Sequence, residues 1–494
     1  MGAPAVNVQE LASSWWHYVM SLNRALERER AEVEDSFFIA ADIAFNAAAK
    51  NPLSWSQLFQ VAQHSQSLFS RGFMADQEQF SKFLWDQVEE VVKATNNTFL
   101  DGEGETLEQY MRRQGDVMSA VANFNEQIEK IKDEFGFQFN TPDYELVAET
   151  PSFLMYQVLP TQQGVTVRND LKPMLLVPPY MLGVNILAFL PLENKSYAHA
   201  FANEGIPTYV RVVKDIWETE AVQTMTPDDD CTQTRELCQK IVDKYRQKVT
   251  LNGTCQGGYN SLMNLLSGTL TDVCDTLISN VTPVDGTYSK AISGMPQLHS
   301  NFVLSSMPNG NMVANGYLLS LGMRFVAIDR ETPLITVLNL AKLQKATKGN
   351  PGKTPAALYR WLRKERVHLP PAIADMSSIS FQQPIAKDGT LPVQLFGKPL
   401  NIRDLAGLGV KWYQNYATKD DLVTPQCAMA GNKFLEGTDV IETVAFPGGH
   451  VAILTSPYSK SAPVNGVFTD ATGKSARGPV KFQVDMSKSA AGSA

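Results

Sequence analysis

The chain is poor in cysteine, and the few it has form no pattern. Five occur in 494 residues, Cys231, Cys238, Cys255, Cys274 and Cys427. The number is odd and no C-x-x-C pair exists, so neither a disulfide framework nor a thiolate zinc site is indicated. Free thiols belong with a reducing environment, and a cytoplasmic location is the expectation. Dense Lys/Arg blocks are also missing: 43 basic against 51 acidic residues leave a net charge of −8, which argues against nucleic acid as a partner. Residues 1–10 lack a basic segment followed by an apolar run, so no signal peptide is expected. One stretch without charge, residues 174–192, is interrupted by Pro178, Pro179, Gly183, Asn185 and Pro191. It reads as a buried strand, a turn and a following segment rather than a transmembrane span.

What is present is ordinary globular material, 44% hydrophobic and 19% charged, enough for two or three structural units. Residues 1–150 read as an N-terminal helical domain. Tyr110, Met111, Val117, Met118, Val121, Phe124, Ile128, Ile131 and Phe135 follow the 3.6-residue period, as do Phe80, Leu84, Val88, Val91 and Val92. Asn51-Pro52 and Asp101-Gly102-Glu103-Gly104 mark breaks, and Gly136 a stop. After residue 150 short apolar runs (172–178, 208–213, 248–252, 276–281) alternate with helical stretches (195–203, 232–246, 259–266), with Asp228-Asp229-Asp230 as a cap. A second strand set follows at 410–416 and 440–445. This alternation predicts an α/β fold with a parallel sheet covered on both faces. Its core comprises residues 151–285 and 390–458, interrupted by an inserted cap, 286–389, with helical parts at 334–346 and 355–364. Residues 459–494, rich in Ser, Ala, Gly and Lys, read as a weakly ordered tail.

The chemistry concentrates in Gly253-Thr254-Cys255-Gln256-Gly257-Gly258, placed between a strand and a helix. That is the G-x-S-x-G nucleophile elbow of α/β-hydrolases with cysteine in the serine position. A thiol there points to acyl transfer through a thioester, and it needs a base and a group that orients the base. Of six histidines only His450 has a fitting context, a Gly-His turn after an expected strand. Asp420 and Asp421 follow another strand end, and the D-x-x-V spacing favours Asp420. Nucleophile, acid and histidine then come in hydrolase order. The oxyanion needs two backbone N–H donors. Gln256 supplies one; Tyr180, Met181 or Leu182 supplies the other, since Pro179 has no N–H, and Met181 is the central candidate. The remaining cysteines read as packing thiols, and no metal or organic cofactor is called for.

From about residue 144 to 456 the chain resembles the polyhydroxyalkanoate synthases. Val177-Pro178-Pro179-Tyr180, the box Gly253-x-Cys255-x-Gly257-Gly258, Thr282-Pro283-Val284-Asp285, Asp420-x-Leu422-Val423-x-Pro425 and Gly449-His450-Val451 resemble that family's segments, in order. Asp421 stands where the family often has His, no Asn follows Pro179, and the cap lacks a Trp-x-x-Asp pattern. The resemblance implies a cytoplasmic, granule-associated homodimer polymerising 3-hydroxyacyl-CoA, with CoA as leaving group. It implies that Cys255 holds the growing polyester as a thioester, that His450 activates it, and that Asp420 orients His450 or assists the attacking hydroxyl. A thioesterase or polyester depolymerase on the same fold, and a non-catalytic granule-associated protein, are the alternatives.

Overall fold

The structure, a computed structural model, describes residues 7–28, 55–100, 102–289, 304–316, 319, 328–329, 332, 352–455, 467–469 and 475–477. Two compact units result: residues 1–132 with 327–362, and residues 133–326 with 363–494. The helical part expected at 334–346 lies outside the described residues.

The first unit is helical. It contains α1 (residues 8–28), α2 (Trp55–Phe99), α3 (Leu107–Ala122) and α4 (Phe124–Lys130). Thr106 caps α3 in a capping box with Gln109, and Tyr110, Met111, Val117, Met118 and Val121 form its buried stripe. The helix expected to run on to Phe135 breaks at Asn123 (φ −99°, ψ 15°) and again at Ile131. Phe124 and Ile128 stay buried after the first break, whereas Phe135 falls in the second unit with its ring 5.9 Å from that of Phe137. Phe124 meets the Tyr359 ring edge-on at 5.3 Å, and Arg360 pairs with Glu129 at 2.6 Å. The described residues among 327–362, read from sequence as part of one cap, therefore group with the helical unit.

The second unit is built on a sheet whose strands are β1 (Tyr144–Glu149), β2 (Phe153–Val158), β3 (Met174–Val177), β4 (Thr208–Val213), β5 (Val249–Thr254) and β6 (Cys274–Asn280). Two hairpins intervene, β7 (Leu304–Ser306) with β8 (Met312–Ala314) and β9 (Thr390–Leu395) with β10 (Lys398–Asn401), before β11 (Lys411–Ala417) and β12 (Ile441–Phe446) complete the sheet. The order is β1-β2-β4-β3-β5-β6-β11-β12. Only β2 runs antiparallel to its neighbours, and all pairs from β4 to β12 are parallel. This is the α/β-hydrolase architecture. β1 corrects the boundary at residue 150: Tyr144–Glu149 is a strand, too short and too charged to stand out before its pairing with β2 is seen. Residues 174–192 form β3 and then two short 3-10 turns, Asn185–Ala188 and Pro191–Glu193. Among the described residues no helix is long and apolar enough to cross a membrane. Of the C-terminal stretch, 467–469 and 475–477 pair as antiparallel strands, and the rest lies outside the described residues.

The helices of this unit are α5 (Tyr197–Ala202), α6 (Glu220–Gln223), α7 (Pro227–Tyr245), α8 (Gln256–Leu266), α10 (Pro371–Gln382), α11 (Pro425–Met429) and α12 (Ala452–Thr455), while α9 (Lys353–Lys364) falls mostly in the first unit. The N-cap of α7 is Thr226, in a capping box with Asp229 and with Pro227 at the first position, not the acidic triplet. Asp230 instead turns inward. It is buried against Arg211 of β4 at 2.7 Å and accepts hydrogen bonds from Tyr180 Oη and, at 2.9 Å, Asn264 Nδ2. Burial works against the Arg211 charge, but Asp230 beside it holds its pKa above the ordinary value. Removing one partner of such a pair strands a buried charge. Asp230→Ala is expected to lower stability by about 3–5 kcal/mol, read from urea unfolding; a loss under about 1 kcal/mol would mean that solvent reaches Arg211.

Candidate active site

β5 ends at Thr254, and α8 starts at Gln256, so Cys255 is the whole turn between them. Its φ of 51° with ψ −122° lies outside the regions open to most side chains, a strain of about 1–3 kcal/mol that only surrounding structure can hold. Three main-chain bonds do so: Cys255 N–H donates to Asn280 O at 2.8 Å, and Cys255 O accepts from Gly258 N–H (3.0 Å) and Tyr259 N–H (3.2 Å). The flanking glycines are needed for clearance. A Cβ on Gly257 would stand 2.2 Å from Val177 O and 2.6 Å from Pro178 O, and one on Gly258 1.9 Å from Thr282 Oγ1.

The acid and histidine come from loops after β11 and β12. Asp420 is 4% exposed. Its Oδ1 accepts the N–H groups of Leu422 (3.0 Å) and Val423 (2.9 Å), and its Oδ2 meets His450 Nδ1 at 2.7 Å. Asp421, one residue on, is exposed. The two loops are joined by Thr418 N–H to Phe446 O (2.8 Å) and Lys419 N–H to Gly448 O (2.9 Å). With Nδ1 committed to Asp420, the buried Nε2 of His450 is the ring nitrogen left for Cys255. Burial lowers the pKa of this imidazole, but the charges of Asp420 and Cys255 outweigh it and hold the pKa well above 6.5. The structure thus brings Asp420 and His450 into contact and Cys255 within electrostatic reach of the ring.

Gln256 opens α8, where a backbone N–H has no acceptor inside the helix. Met181, in the turn after β3, is buried, and its carbonyl accepts Val367 N–H at 3.0 Å. The 2.2 Å clearance at Gly257 brings the end of β3 against the first turn of α8. One contact had no sequence signal: Gln256 Nε2 donates to Ser377 Oγ of α10, so a helix of the inserted segment reaches the residue beside Cys255.

All five cysteines are free and buried. Burial pushes Cys231 up to about 11 and Cys274 well up. It also raises Cys427, with the charges of Asp285, Asp420 and Cys255 adding to the effect. Burial takes His199 down to about 4, and the side chains of His64 and His299 lie outside the described residues. Among the described residues no group of His, Cys, Asp and Glu is placed to hold a metal ion.

No protein-family model matches the chain, and no curated protein sequence matches it. Similar solved structures include an esterase from Thermogutta terrifontis with malate bound (12% identity, 62% of this chain and 94% of that one, TM-score 0.33). Others are naproxen esterase from Bacillus subtilis (9%, 68% and 94%, 0.34) and a thioesterase domain of the curacin biosynthetic pathway (12%, 64% and 95%, 0.33). Sheet order, elbow and histidine loop define a protein of the α/β-hydrolase fold with cysteine at the elbow. The particular reaction has to come from its own residues.

Gly257→Ala is expected to cost about 1–3 kcal/mol, because both atoms it meets are backbone; unchanged urea unfolding would contradict the close approach. A second test concerns pH. A histidine whose pKa rises on folding adds stability that is complete below pH 6.5 and is lost as pH climbs through the raised value. The thermal midpoint should therefore fall more steeply above pH 6.5 in the unmodified protein than in Asp420→Asn, and equal slopes would contradict the coupling.

Proposed function

We propose that the protein is an acyltransferase of the polyhydroxyalkanoate synthase type. The observation that carries this reading is a cysteine, rather than a serine, held at positive φ in the elbow of a fold whose acid and histidine are already hydrogen-bonded. His450 Nε2 takes the Cys255 proton. The sulfur attacks the carbonyl carbon of a 3-hydroxyacyl-CoA, and the oxyanion rests on the N–H groups of Gln256 and Met181. CoA leaves as a thiol with the proton returned by His450. The hydroxyl of another acyl unit then gives its proton to His450, attacks the enzyme thioester, forms an ester and releases Cys255. A thioester suits this second step because it stays reactive toward an alcohol. The inserted segment, through α10, would keep water from the intermediate.

The product is water-insoluble, and α2 leaves Leu84, Trp85, Val88, Val92 and Phe99 exposed. Such a row supports docking on a polyester granule; a cytoplasmic homodimer is what the resemblance to the synthases implies. The test is incubation with 3-hydroxybutyryl-CoA, following CoA release and insoluble polymer. Cys255→Ala should reduce both by about 10⁴-fold or more. Soluble hydroxy acid in place of polymer would assign a thioesterase or depolymerase instead, and CoA release that survives Cys255→Ala would remove the mechanism.

A further inference from the structure

The helix that follows Cys255 carries a polar stripe that the reaction above does not use. On α8, Gln256, Asn260 and Asn264 recur every fourth residue and so share one face. Both ends of the stripe are bonded. Gln256 Nε2 donates to Ser377 Oγ of α10, and Asn264 Nδ2 donates to Asp230 Oδ1 of α7 at 2.9 Å. Tyr180, in the turn that also carries Met181, reaches the other oxygen of Asp230. Asn260 lies between them, 2% exposed, and among the described residues neither its Nδ2 nor its Oδ1 has a hydrogen-bond partner.

A buried carboxamide unbonded at both ends is costly, and such groups call for a specific explanation. Four residues of helix rise about 6 Å, which puts Asn260 one turn from Gln256, the oxyanion donor. One end of a carboxamide donates only and the other accepts only. A carboxylate would satisfy the first alone and an ammonium the second alone. A hydroxyl both donates and accepts, and in a 3-hydroxyacyl thioester it lies two carbons from the carbonyl that Cys255 attacks.

We propose that Asn260 recognises the 3-hydroxyl of the acyl unit: Nδ2 donates to the hydroxyl oxygen and Oδ1 accepts the hydroxyl hydrogen. Asn260 is then the residue that selects 3-hydroxyacyl thioesters over plain acyl thioesters, a statement that rests on the acyl-transfer reading. Single-turnover CoA release from 3-hydroxybutyryl-CoA and from butyryl-CoA tests it in the full-length protein and in Asn260→Leu and Asn260→Ala. The unmodified protein should prefer the hydroxylated substrate. Both variants should lose that preference through a drop of roughly tenfold to a hundredfold on 3-hydroxybutyryl-CoA alone. Asn260→Leu, which removes an unpaired polar group, should leave the thermal midpoint unlowered; should leucine fail to pack, the Asn260→Ala rates decide. A substrate ratio equal to that of the unmodified protein in the variants that fold would overturn the assignment while leaving acyl transfer intact. CoA release from neither substrate by the unmodified protein would overturn both.

Discussion

The molecule depends on one close approach, the first turn of α8 against the ends of β3 and β5. A helix can begin directly after a strand only if the turning residue takes positive φ and the residues around it present no Cβ to the neighbouring backbone. Gly257 and Gly258 meet that demand, with no room beside Val177 O and Thr282 Oγ1. The strain falls on Cys255 and is held by the Asn280 carbonyl and the first turn of α8. This lifts the sulfur out of the sheet while leaving Cys255 as a residue only 5% exposed.

The two halves of the site are more than 150 residues apart in sequence, and the sheet joins them. β6 lies between β5 and β11. Asn280 O at its end holds Cys255 N–H, and the next residue, Val281, donates to Asn415 O at 2.9 Å. Below this main-chain relay runs a side-chain one: Asn280 Nδ2 donates to Asn252 Oδ1 at 2.8 Å, and Asn415 Nδ2 to Asn280 Oδ1 at 2.9 Å. Buried polar ladders of this kind fix register, because any slip leaves amides unbonded. The strand that carries the elbow and the strand that leads to Asp420 are therefore set against each other before any loop is considered.

Much of this was legible because it is local. The elbow is written in consecutive residues, and the strands around it appear as apolar runs within a residue or two of their observed ends. The D-x-x-V spacing sets Asp420 apart from Asp421, and Asp420 Oδ2 lies 2.7 Å from His450 Nδ1. What escaped was non-local. β1 has no meaning without β2. The helical stripe through Asn123 kept its period while its backbone broke. Asp230 looked like part of a helix cap, and nothing in Asp228-Asp229-Asp230 says that its third member is buried against Arg211. The run 286–389 looked like a single cap, whereas the described residues among 327–362 group with the helical unit.

By itself, then, the sequence determined the fold class, the elbow at Cys255 and the order of Cys255, Asp420 and His450 along the chain, because backbone conformation at glycines and the period of apolar residues are properties of neighbours in the chain. Tertiary structure alone decided that α10 reaches Gln256, that Cys427 sits near Cys255 and Asp420, and that Asn260 is left without a partner among the described residues. Each of these depends on which atoms desolvate one another, and desolvation is set by packing between segments that no local pattern encodes.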